Sequence, residues 1–122
     1  NMIIKKVKIP IYNVNVTYIE LDKDDSDDCV LSYMLKIRAD NDEVESIRDN
    51  IKGKSKNGGV TYLRRATKEI LTIIFPSSSE RERRNTISHE LYHIVDSVGE
   101  WCDLCCAESK AYLQGYLSEI LY

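Results

Sequence analysis

Both histidines of the chain, His89 and His93, fall within one stretch, RRNTISHELYHIVDSV from Arg83 to Val98, and stand four residues apart with Glu90 directly after the first. No other segment places a stronger demand on the fold. Ser77 and Glu80 just before it are spaced as a capping box, and Gly99 after it is an end signal. The pattern predicts a helix running through the histidines to Val98. On a helix, residues four apart differ by about 40° in direction and about 6 Å in height. His89 and His93 would leave one face together and could grip one ion. Glu90 would project about 100° round from His89, placed to touch a water on that ion.

The segment VTYLRRATKEILTIIF, residues 60–75, feeds this helix. It predicts two strands joined around Ala66–Lys68 and closed by Pro76. If the helix that follows carries a site that cuts peptides, the second, KEILTIIF, would be an edge strand lining its cleft, able to take an extended peptide as an added strand. Further upstream, Val, Ile, Thr and Tyr with period-two alternation predict one strand from about Lys8 to Glu20. Five aspartates between Asp22 and Asp28 follow. They resemble a calcium loop only superficially, since Asp27 stands where such a loop needs Gly and Tyr33 where it needs its final Glu. A solvated acidic turn is the reading.

CVLSYMLKIRA, residues 29–39, then predicts a second strand paired with the first as a hairpin. A helix starting at Asp40 or Asn41 has Val44, Ile47 and Ile51 at helical spacing and Gly53 as a stop. Asn57–Gly59 is a turn. The last segment, AESKAYLQGYLSEILY, predicts a closing helix with Ala111, Leu113, Tyr116, Leu117, Ile120 and Leu121 as its apolar residues. The order β, β, α, β, β, α, α makes an α+β fold with a small, mostly antiparallel sheet. At 122 residues a single domain over residues 2–122 is expected, with Asn1 before Met2 read as a tag remnant.

The chemistry follows from the residue types. Two neutral imidazoles four apart bind zinc, and a carboxylate beside them takes and returns a proton. A catalytic zinc takes three protein ligands and keeps one open position. Glu108 is the first choice for the third, because it opens the last helix and a turn at Gly99 could bring that helix back antiparallel. Asp96 is a rival on the same face as His93, although a hydrogen bond to a ligating imidazole suits its short side chain better. A cysteine is the remaining option. Tyr112, four residues after Glu108, could bind a ligand or steady a tetrahedral oxyanion, or simply pack. The cluster Arg81, Arg83 and Arg84 reads as solvated helix surface.

CDLCC, residues 102–106, contains a C-x-x-C that with the histidines could make a structural zinc site. Only eight residues separate the two pairs, so the connection would have to fold sharply. The zinc-deaminase signature fails, because Glu90 follows His89 without the intervening residue it requires. Reduced thiols explain Cys29, Cys102, Cys105 and Cys106 more simply, and with no signal-peptide core at the N-terminus they point to the cytosol. A formal charge of −3 gives no global drive toward nucleic acid or anionic membrane, and no apolar run approaches the roughly 18 residues of a membrane span.

TISHELYHIVD followed by ESKAYLQGYL resembles the gluzincin branch of zinc metallopeptidases, especially the short H-E-x-x-H proteins of bacteria, phages and mobile elements related to the ImmA/IrrE group. The resemblance spans about Thr61 to Leu117. It implies a compact zincin-like domain with an active-site helix beneath a small sheet, with Glu108 as third zinc ligand. It also implies cleavage of a protein or peptide substrate by a metal-activated water, with Glu90 passing the water's proton to the leaving amine. The alternative is a non-catalytic zincin-like domain whose zinc is structural and whose exposed strand docks a partner. A purely structural site has no need of Glu90.

Overall fold

In the computed structural model, the described residues are 2–10, 12–23, 25, 28–52, 58–103 and 107–122. The chain opens with β1 (Ile3–Ile9) and β2 (Val14–Glu20), an antiparallel pair in which Ile9 stands opposite Val14. The single strand expected from Lys8 to Glu20 is therefore broken in two. Pro10 has no N–H to offer a ladder, and Asn13 turns the chain with φ 58°.

The expected second strand is a helix, α1 (Asp28–Lys36). Its Val30 and Met34, with Ile37 just past its end, recur at helical spacing and all three are buried. Both sides of β2 are already occupied, by β1 and by a later strand, so no hairpin partner is needed. Next comes α2 (Asn41–Ile51), started by a capping box in which Asp40 accepts from the Glu43 amide and Glu43 accepts from the Asp40 amide. The expected stop at Gly53 lies outside the described residues. The paired strands β3 (Gly59–Arg64) and β4 (Glu69–Ile74) follow, with Lys68 at φ 54° in their turn. Two helices, α3 (Glu80–Trp101) and α4 (Ala107–Leu121), complete the fold.

The sheet order is β1-β2-β4-β3. β1/β2 and β3/β4 are antiparallel and β2/β4 is parallel, so the α+β fold holds a mixed sheet. β4 is an inner strand. The outer strand beside it is β3, which takes the edge position expected of KEILTIIF. The reason is burial on both faces: Ile70 and Ile74 point toward α3 and α4, while Leu71, Ile73 and the following Phe75 point toward α1 and α2. A strand without a polar face is stable only when it is covered on both sides. The sheet thus lies between two helical layers, with α3 and α4 packing Ile87, Leu91, Ile94, Val98, Leu113, Leu117 and Leu121 onto one face.

Candidate metal centre

Three contacts fix the long helix beside the outer strand. Thr86 lies against Gly58 and Gly59, Glu90 meets Thr61, and Arg65 reaches Glu100. α3 and β3 therefore run side by side in the same direction. The glycines allow this approach, since a Cβ at Gly58 would sit 2.6 Å from the Thr86 hydroxyl and one at Gly59 would sit 3.1 Å from Glu90 Cγ.

The helix starts differently from expectation. Ser79, in extended backbone, is the N-cap and accepts from the Glu82 amide at 3.1 Å; Ser77 and Glu80 form no box, and Glu80 instead pairs with Arg83 and Arg84. Nor is Arg83 merely solvated. Its guanidinium donates twice to Glu20 of β2, at 2.6 and 2.9 Å, and the buried Tyr18 hydroxyl donates to the same carboxylate at 2.7 Å. The hydrogen bonds from Arg83 hold the Glu20 carboxyl below the usual range, while burial and then Glu20 push the Tyr18 phenol up. At its other end α3 continues through Gly99 to Trp101 rather than stopping. Gly99 is buried where Lys110 of α4 crosses it, so packing against α4 offsets the roughly 1 kcal/mol cost of a helical glycine.

On the exposed face of α3, His89 Nε2 and His93 Nε2 lie 3.2 Å apart, with the rings edge to face. Two nitrogens each about 2.0–2.1 Å from a tetrahedral zinc lie about 3.3–3.4 Å apart, so this pair fits one ion. The same separation also suits an N–H···N hydrogen bond between neutral rings. What the bond alone does not explain is the neighbour. Glu90 is only 5% exposed. Its Oε1 accepts from the Thr61 hydroxyl at 2.8 Å, and its Oε2 faces His89 Nε2 at 3.9 Å. Thr61 gives its one hydrogen to Glu90, so the Thr72 hydroxyl, 3.0 Å away on β4, donates to Thr61.

Sequence reasoning missed both threonines. The available signal was Thr72, a lone polar residue within the apolar run of β4 and 1% exposed. Such a hydroxyl needs a partner.

His89, Glu90 and His93 are brought together; the other expected residues are not. Gly99 beside Lys110 and Ser88 bonded to Tyr122 set an antiparallel register between α3 and α4. Glu108, exposed in the first turn of α4, is thereby level with the end of α3, about 12 Å along the axis from His93. Tyr112 is 73% exposed on α4, and Asp96 is exposed one turn beyond His93. Cys102 caps α3 with a free thiol, while Leu104, Cys105 and Cys106 lie outside the described residues. Among the described residues, no group of three or more His, Cys, Asp or Glu side chains converges to hold an ion.

Comparison with protein-family models, with curated proteins and with solved structures finds no match to this chain. No helix among the described residues is long and apolar enough to cross a membrane.

Proposed function

We propose that this α+β domain is a zincin-like metallopeptidase of the gluzincin type, cleaving peptide bonds in a protein or peptide substrate. The observation that carries the reading is the pairing of two imidazole nitrogens 3.2 Å apart on an exposed helix face with a buried, hydrogen-bonded carboxylate beside them. A bound zinc would acidify a water and polarise a carbonyl. His89 and His93 would hold it through Nε2. Glu90, anchored by Thr61 at Oε1, keeps Oε2 free to take a proton from water and return it to the leaving amine. Glu108 is the proposed third donor. That role requires α4 to leave the register set by Ser88 and Tyr122, so that its first turn comes toward His93. We place the activity in the cytosol, where a free thiol such as Cys102 stays reduced.

Metal content and peptide hydrolysis, measured on the wild type, Glu90→Gln and Glu108→Ala, test the reading. One equivalent of zinc should survive Glu90→Gln while hydrolysis falls by about 10²–10⁴-fold. Glu108→Ala should weaken zinc retention. Hydrolysis that survives Glu90→Gln would overturn the mechanism, and unchanged zinc in Glu108→Ala would remove it from the ligand set.

A further inference from the structure

Beyond Thr61 the outer strand runs into a cavity of about 400 Å³ at the β3–β4 turn. Lys36, Arg38, Arg64 and Arg65 line it against a single carboxylate, Glu69. The local sign is opposite to that of the chain, whose formal charge is −3. These cations are not equally committed. Arg64 is a strut, donating to the Ile37 carbonyl at 2.8 Å and to Glu43 at 2.7 Å. Arg65 reaches Glu100 only at 3.9 Å, with both side chains more than two-thirds exposed, so that pair holds it weakly. Lys36 lies over the Tyr33 ring, and neither it nor Arg38 has a carboxylate partner among the described residues.

Arg38 also stands where its backbone would favour another residue. The Ala39 amide bonds the Met34 carbonyl and the Arg38 amide bonds the Leu35 carbonyl, each at 3.0 Å, which is a Schellman end to α1. Its left-handed position, φ 56°, is filled by arginine where glycine is favoured. Its positive charge suits the C-terminal end of the helix dipole, and the side chain brings a guanidinium into the cavity wall.

We infer that this cavity is a subsite for an acidic side chain of an extended peptide lying along β3. The inference rests on the peptidase reading for where that peptide lies. Leu63, 38% exposed and two residues on from Thr61, gives the cavity an apolar wall about 7 Å from the level of Glu90. A peptide added to β3 with its reacting bond beside Glu90 therefore delivers a side chain about two or three positions away to Arg38, Arg65 and Lys36. The favoured substrates carry aspartate or glutamate there.

Binding is read by fluorescence anisotropy on the Glu90→Gln protein, so that no turnover is needed. The probe is a short fluorescein-labelled peptide of alternating glutamate and threonine, compared with its lysine counterpart. The glutamate peptide should bind and the lysine peptide should not. Affinity should fall about threefold to tenfold in Arg38→Gly and further in Arg38→Glu/Arg65→Glu, and should weaken with salt. Arg38→Gly suits the left-handed backbone, so its thermal stability should be kept or raised, which separates lost binding from lost folding. Equal binding of both peptides, no binding of either, or affinity unchanged in Arg38→Gly would overturn the subsite. Charge-selective binding by a protein that never hydrolyses peptide would count against the hydrolase reading alone. Hydrolysis without charge preference would count against the subsite alone.

Discussion

Glu90 is set apart from the other acids of α3 by what surrounds it. Glu80 and Glu100 face solvent at the ends of the helix, whereas Glu90 is buried and its Oε1 depends on the Thr61 hydroxyl. A buried carboxylate oxygen that loses its donor costs about 1–3 kcal/mol. Thr61→Val should therefore lower stability by that amount in denaturant unfolding, and Thr61→Ser should restore most of it. Equal losses in both variants would trace the effect to the methyl group and its packing instead. His89, Glu90 and His93 could be read from the sequence because their relation is local, set by the repeat of one helix. Thr61 lies 29 residues away on a neighbouring strand, and no pattern along the chain encodes that contact.

α3 and α4 show how an element's ends are decided by neighbours. The periodicity of both helices is legible, and α4 buries Leu113, Leu117 and Leu121 as its spacing implies. The end of α3 was not legible, because packing against α4 carries the helix past a glycine that would end an isolated one. α1 differs from the strand expected there for a related reason. Its short apolar run is rich in residues that suit strands, and only the burial of Val30, Met34 and Ile37 decides the period. The inner position of β4 is likewise a property of the sheet, since it depends on β2 pairing across the two intervening helices. Leu117 of α4 is fully buried in the core cluster that α4 shares with α3. Leu117→Ala should cost about 2–5 kcal/mol, seen as a lowered denaturation midpoint, while a change at exposed Gln114 should cost almost nothing.

For the molecule as a whole, acid and alkali should loosen the fold through different groups. Arg83 holds Glu20 below the usual carboxylate range, so the folded protein binds that proton less readily than the unfolded chain. The resulting stabilisation is complete above the unfolded glutamate pKa of about 4.3 and is lost as pH falls through the folded value. Tyr18 and Tyr62 act in the opposite sense. Burial raises both, Tyr62 to about 12, so their contribution is complete below the ordinary tyrosine pKa of about 10 and is lost as pH rises toward the folded values. Thermal unfolding across pH should show both limbs. Glu20→Gln should flatten the acid one and Tyr62→Phe should reduce the alkaline one.

The spacing between α3 and β3 is set by atoms the chain lacks. At Gly59 a single added carbon would crowd Thr86, the Ile73 carbonyl and the stem of Glu90 together. A residue with no chemical group of its own thus acts as the gauge that keeps helix and strand one hydrogen bond apart. Damage there would imitate the loss of a base while every reactive atom was still present.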